Sequence, residues 1–191
     1  VVSSLKNFGD ILVVNDGSLD KTELNAINAG ANTISHIVNQ GYDKALNTGF
    51  KYAYSMKYKY LITLDADKQH PVDKLESIYK ELVNGADLVL GCRNKKQRIS
   101  EYIFSFYTRL RWGIKDPLTG FKGYRMSLYE ELGHFDSYNS IGTELSLFAA
   151  RKKKIIKQFM IETNDRKGDA RFGNSISSNL RILMSMINSL R

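Results

Sequence analysis

Residues 60–91 read YLITLDADKQHPVDKLESIYKELVNGADLVLG. Residues 60–64 are a short apolar run that ends on two carboxylates, Asp65 and Asp67. Pro71 stands where a helix favours its first residue, and residues 72–83 carry the helical period to a stop at Gly85. A second apolar run, 87–91, follows at once. Strand, helix and strand in so short a span make one β-α-β unit, the building block of a parallel sheet.

The same alternation extends toward the start of the chain. Residues 10–15 (DILVVN) read as a strand that breaks into the turn Asp16-Gly17-Ser18. The helix after it has Asp20 and Glu23 at capping-box-like spacing, Leu24 and Ile27 as an apolar face, and Gly30 to close it. A strand is predicted over 33–38 and a helix over 42–56. Downstream the pattern loosens: helices over 101–112 and 143–152, extended chain over 120–125 and 155–162. An amphipathic helix over 174–190 carries Ile176, Leu180, Leu183, Ile187 and Leu190 on one stripe. That stripe is expected to pack against the domain, with a membrane-surface or dimer role as the alternative. The expectation is an α/β fold with a mostly parallel central sheet covered on both faces.

Composition bounds the rest. The 191 residues, 42% hydrophobic and 25% charged, suit one domain spanning 1–191, with no repeat or low-complexity tract. A single cysteine, Cys92, excludes an intrachain disulfide and a cysteine-built zinc site, and reads as a small buried residue in a reducing compartment. No apolar stretch reaches the roughly 20 residues that cross a bilayer, and no signal peptide is visible. The net charge of +8 suits a polyanionic partner such as a phosphate-rich substrate or an anionic membrane face. No nucleic-acid recognition motif accompanies it, so nucleic acid is set aside.

In open parallel sheets ligands collect beyond the carboxyl ends of the strands, so the loops at 15–18, 65–69 and 91–93 should converge. Asp65 and Asp67, two apart at a strand end, can reach one hard cation, and Gln69 can add an oxygen. Mg2+ or Mn2+ would keep its other positions for water and phosphate. The alternative is a solvated acidic turn. Asn15, Asp16, Gly17 and Ser18 can accept from a base or ribose, or can form a plain strand-to-helix turn. Arg93, Arg98, Arg166 and Arg171 can grip a diphosphate, though each taken alone is an ordinary surface residue. Asp116 and Glu144 are candidates for proton transfer or for holding substrate hydroxyls, or else structural hydrogen-bond acceptors. His36, His70 and His134 lack ligand-like spacing, and His70 reads as a helix-start residue beside Pro71, with a place at the border of the metal loop as the alternative.

Six stretches then carry a resemblance: VVNDGSLDKT (13–22), NQGYDKALNTGF (39–50), LITLDADKQHP (61–71), LVLGCR (88–93), DPLTGFKGYR (116–125) and RKGDARFG (166–173). In this order they resemble the family-2 glycosyltransferases of GT-A fold, most of all the dolichyl- and polyprenyl-phosphate sugar synthases. The resemblance implies a three-layer fold with a nucleotide and metal half over about 1–93, an acceptor half over about 94–173 and the closing helix over about 174–190.

It implies that Asn15, Asp16, Gly17 and Ser18 hold the nucleoside, with Asn39 and Gly41 of the second motif beside them. It places Asp65, Asp67 and Gln69 on the metal and diphosphate, with Asp67 also counted as catalytic. Arg93, Arg98 and Arg166 fall to the phosphates, Asp116 to the sugar pocket and Glu144 to the acceptor region. The implied reaction passes a sugar from a nucleoside-diphosphate donor (GDP-mannose or UDP-glucose type) to a polyprenyl or dolichyl phosphate, with inversion, at the cytoplasmic membrane face. A saccharide hydroxyl is the alternative acceptor.

The sequence departs from the pattern in three places: Asn15 replaces the commoner Asp, Ala170 stands where Ser is common, and the usual first strand is missing. Residues 1–8 look instead like the first helix of the fold. The absent strand is expected to leave a gap in the core. Two further readings are weaker. A sugar-phosphate nucleotidyltransferase would show a Gly-rich loop that is not seen, and a non-catalytic nucleotide-sugar binder fits poorly with an intact Asp65-x-Asp67-x-Gln69.

Overall fold

A computed structural model describes residues 1–66, 70–162 and 175–190. Its elements run α1 (Val2–Leu5), β1 (Leu12–Asn15), α2 (Thr22–Asn28), β2 (Asn32–Ser35), α3 (Tyr42–Ser55), β3 (Tyr60–Thr63), α4 (Leu75–Val83) and β4 (Leu88–Arg93). Then follow α5 (Ile99–Trp112), β5 (Lys122–Arg125), α6 (Met126–Leu132), α7 (Glu144–Arg151), β6 (Ile156–Ile161) and α8 (Ser175–Asn188).

The sheet is mostly parallel. β1 pairs with β2 in parallel, and a four-stranded sheet has the order β3-β5-β4-β6. In it β3, β4 and β6 run one way, and β5 is inserted antiparallel between β3 and β4. β4 is the buried centre, with only Arg93 at its end reaching partial exposure. Its side chains alternate, as a strand covered on both faces requires. Leu88, Leu90 and Cys92 join Phe50, Phe104, Tyr124 and Phe135 on one face, while Val89 joins Leu75, Ile78, Leu82 and Phe121 on the other. Helices on both faces give three layers. On the second face α4 lies so close that a Cβ on Gly123 would fall 2.2 Å from the Ile78 side chain.

β1 and β3 each have one edge without a ladder partner among the described residues. The contrast with β4 is visible in burial: all four residues of β3 are only half-buried.

Several boundaries move. The strand expected over 33–38 is Asn32–Ser35, because the chain turns after His36 to pack Val38 and Asn39 over Gly17. The helix expected over 72–83 opens as a 3-10 turn at Val72–Lys74. The extended stretch 120–125 keeps four paired residues, and α6 follows it directly, unanticipated.

The closing helix carries its apolar stripe the other way round. The side of α8 that packs inward presents Ser178, Ile182 and Ser185, while Ile176, Leu180 and Ile187 are more than half exposed. α8 lies alongside α5, whose outer face shows Ile99, Phe106 and Leu110. Among the described residues no helix is long and apolar enough to cross a membrane.

Candidate active site

The end of β3 delivers Asp65. Its side chain is 41% exposed, and it rests directly on the backbone of Gly120, where a Cβ would fall 2.3 Å from Oδ2. His70 Nε2 lies 3.1 Å from the same Oδ2. The imidazole stacks on Phe121, with ring centroids 5.3 Å apart and planes 14° off parallel. His70 therefore touches the site, and the 3-10 turn after Pro71 has no side-chain cap. Asp67, Gln69, Arg166 and Arg171 lie outside the described residues, as does any cation cluster they complete with Asp65. An exposed carboxylate on an ordered strand end is a hard oxygen donor suited to Mg2+ or Mn2+, so the chemistry of Asp65 fits the group.

The end of β4 delivers Arg93, and its guanidinium is held by carboxylates. Asp116 accepts from Arg93 three times: from the backbone N–H at 3.0 Å, from Nε at 2.9 Å and from Nη2 at 3.0 Å. Glu101 of α5 brings Oε2 to 3.0 Å from Nη2, an ion pair out of line for a hydrogen bond. Arg98, at the N-cap of α5, stands 3.5 Å from the other Glu101 oxygen. Two arginines thus face two buried carboxylates. Burial alone would raise the Asp116 carboxyl, but Arg93 outweighs it and holds it below the usual range. Burial likewise works against the Arg93 charge, yet Asp116 and Glu101 keep it firmly protonated, and Asp65 adds to the field it feels.

The end of β1 delivers Asn15 through Ser18. Asn15 is buried, donating from Nδ2 to Ser35 Oγ and accepting the Ser18 N–H on Oδ1. Asp16 accepts the N–H groups of Gln40 (2.8 Å) and Gly41 (2.7 Å), and its Oδ1 is 2.7 Å from His36 Nδ1. Burial raises this carboxyl, but those donors outweigh it and hold it low. Gly17, at φ +69°, lies so near the loop that a Cβ would fall 2.5 Å from the Asn39 nitrogen. Asn39 and Gly41 thus belong to the same cluster as Asp16. Their contacts build the loop's shape.

A chain of contacts joins these clusters. Gly41 caps α3, and Asp43 in its first turn accepts the N–H groups of Ile141 (3.2 Å) and Gly142 (2.7 Å). Lys122 of β5, 2% exposed, donates to the carbonyls of Gly142 (2.6 Å) and of Pro117 (2.8 Å), next to Asp116. Burial pushes Lys122 down to about 8 and, with Asp136 nearby, pushes Asp43 up to about 6. Glu144, which opens α7, accepts from the Ser137 N–H and hydroxyl and lies 2.9 Å from His134 Nε2. It holds its own loop together.

The sequence brought forward Asp65, Arg93, Asp116 and Asp16, weighed His70 as a border of the metal loop, and passed over Gly120, Glu101, His36, Asp43 and Lys122. Gly120, Asp43 and Lys122 lie within the stretches that carry the resemblance, whereas Glu101 and His36 lie outside them.

The chain is similar to three known proteins of note. An uncharacterized protein of Methanocaldococcus jannaschii is 29% identical over 197 residues, covering 95% of this chain and 81% of its own. The UDP-N-acetylglucosamine–dolichyl-phosphate N-acetylglucosaminyltransferase of Methanococcus voltae is 28% identical over 164 residues, 69% of this chain and 65% of the relative. Glucosyl-3-phosphoglycerate synthase from Mycobacterium tuberculosis, solved with Mn2+ and UDP-glucose, superposes with a TM-score of 0.77 at 17% identity. The match spans 99% of this chain and 73% of that one, and it fixes the fold as GT-A. The profile described as "Glycosyl transferase family 2" matches residues 1–159. That match covers most of the chain, and the chain belongs to glycosyl transferase family 2.

Proposed function

We propose that this chain transfers a sugar from a nucleoside-diphosphate donor to a lipid phosphate of the polyprenyl or dolichyl class, at the cytoplasmic membrane face, with inversion at the anomeric carbon. The observation that carries the reading is that an exposed carboxylate, Asp65, and a guanidinium fixed by two buried acids, Arg93, stand beyond the ends of strands that run the same way, at one edge of the sheet. That edge is where a diphosphate needs both a cation and an arginine.

Asp65, with Asp67 and Gln69, would hold Mg2+ or Mn2+. The ion supplies charge neutralisation to the departing nucleoside diphosphate. Arg93 keeps its guanidinium oriented toward the phosphates, and Arg98 and Arg166 are assigned to the same phosphates. Asp116 has no exposed surface and a carboxyl held low by Arg93, so it serves as the clamp on Arg93 and makes a poor proton acceptor. A phosphate acceptor is already an anion and needs no base. The loop of Asn15, Asp16, Gly17 and Ser18, with Asn39 and Gly41, shapes the nucleoside pocket, and Glu144 orders the acceptor side.

Two things support the lipid acceptor. One is the likeness to the M. voltae enzyme, whose name carries a dolichyl phosphate. The other is the outer face of α5 and α8, where exposed apolar side chains stand with Arg109, Arg111 and Arg181. Glu101, the one acid of α5, is buried, and α8 has none. That mix suits an anionic lipid surface.

The test offers GDP-mannose, UDP-glucose and UDP-N-acetylglucosamine with Mn2+, with and without a short polyprenyl phosphate, and follows nucleotide release. Release that needs the lipid and stops with EDTA supports the proposal and names the donor. Release that ignores the lipid and follows a soluble saccharide overturns the acceptor.

A further inference from the structure

We infer that His70 and Gly120 are positioning residues for Asp65, one meeting its Oδ2 with a ring nitrogen and the other leaving the room it occupies, so that the cation-binding rotamer is set before the cation arrives. The inference rests on the reading of Asp65 as a cation ligand.

The two contacts differ in kind. In one, His70 Nε2 meets Oδ2 at 3.1 Å. Its ring is 5% exposed while the carboxylate is 41% exposed, so the anchor is inside and the free face of Asp65 looks out. Packing sets the ring: it stacks on Phe121, which is itself fully buried and wedged where a Cβ on Gly91 would come within 2.6 Å. Among the described residues Nδ1 is buried with no hydrogen-bond partner, and the only polar contact of this imidazole is the one to Asp65. The nitrogen facing a carboxylate carries the hydrogen, which leaves Nδ1 as the bare lone pair. A histidine kept for structure alone would be expected to satisfy that second nitrogen.

The other contact is with empty space where a side chain would be. A Cβ on Gly120 would stand 2.3 Å from Oδ2 and 2.8 Å from both Cγ and Oδ1. Gly120 cannot retreat, because its carbonyl accepts the Thr63 hydroxyl at 2.9 Å from within β3. Its backbone is not in the left-handed region, so the demand for glycine is one of room. A carboxylate held this way loses little freedom on taking up an ion, which is how outer residues tune metal affinity.

The experiment measures Mn2+ affinity of the full chain by the electron paramagnetic resonance of free Mn2+, with the metal alone and with UDP or GDP. His70→Phe keeps the stack and removes the donor; His70→Gln returns a donor at the reach of Nε2. Gly120→Ala pushes the carboxylate aside. Circular dichroism and thermal melting check each fold. The expected result is Mn2+ binding about tenfold weaker or more in His70→Phe and Gly120→Ala, with His70→Gln within about threefold of the parent. Parent-like affinity in both folded variants overturns the inference, as does a His70→Gln as weak as His70→Phe. If His70→Phe does not fold, Gly120→Ala and His70→Gln decide between the same outcomes. Asp65→Asn separates the two claims: unchanged Mn2+ binding there overturns the cation reading itself, whereas lost binding there with parent-like positioning variants overturns only the grip.

Discussion

Asp116→Asn isolates the clamp on Arg93. The change is nearly isosteric, so it tests charge and hydrogen bonding with little change of packing. Asp116 is 0% exposed and accepts three hydrogen bonds from Arg93. The asparagine amide retains one oxygen and turns an NH2 toward a guanidinium that can only donate. In the parent, Arg93 and Arg98 face Asp116 and Glu101, two charges against two; the variant leaves two against one. Removing one partner of a buried pair costs about 3–5 kcal/mol, and the remaining Glu101 argues for the lower end, about 3 kcal/mol. In a chain of 191 residues that is a fall in Tm of roughly 6–12 °C, read by circular dichroism at pH 7. The pH profile gives a second check. The folded-state carboxyl of Asp116 is lowered, so the unfolded chain binds the proton more readily and the stabilisation is fully present above the unfolded value of about 4. It is lost as pH falls through the folded value. The gap between parent and variant should therefore close in acid. A Tm within 2 °C of the parent at pH 7, or a gap that does not change with pH, would refute the reasoning (the 2 °C threshold being about the effect of ~0.5–1 kcal/mol).

Gly123→Ala places a Cβ 2.2 Å from Ile78 Cγ2 and 3.0 Å from Leu82 Cδ1, and should destabilise by about 1–3 kcal/mol in urea unfolding through overpacking of α4 on β5. Gly17→Ala combines a positive φ with a contact of 2.5 Å to Asn39, so nucleotide binding measured by calorimetry should fall by roughly tenfold or more as the loop shifts. The amide resonances of Ile141 and Gly142 should titrate with a midpoint of about 6 as Asp43 ionises. Because that folded value is raised, the neutral form is favoured on folding, and its contribution to stability is lost as pH rises through about 6. Asp136→Asn, which removes the second cause of the shift, should lower the midpoint.

The β-α-β unit at 60–91 was legible because its signals agree: an apolar run buried on both faces, a helix of the right period and glycine at the stop. β5 was legible only as extended chain. Nothing in GFKGYR tells that it runs antiparallel, and a lysine at the middle of a central sheet runs against the pattern rule. Lys122 is tolerated there because two carbonyls meet its ammonium group, a fact that depends on loops 5 and 20 residues away. The stripe on α8 was found, but its direction was not, since hydropathy cannot say that serines will face the domain. At the site, the residues that leave strand ends could be read directly. Their partners could not: Gly120 meets Asp65 across 55 positions and Asp116 meets Arg93 across 23, and periodicity carries no information at such distances.

Cys92 lies at the far end of the most enclosed strand, 1% exposed, with its thiol pushed up to about 11 by burial and by Asp116. It is the chain's one cysteine. A native molecule offers an alkylating reagent neither a path to the sulfur nor a thiolate to attack. The rate of labelling therefore measures how often β4 leaves its partners β5 and β6, which makes the residue a built-in clock for opening of the central sheet. By the same token, a cysteine placed anywhere on the surface would be the single reactive site, and a probe attached beside α5 or α8 would report contact with a bilayer free of background.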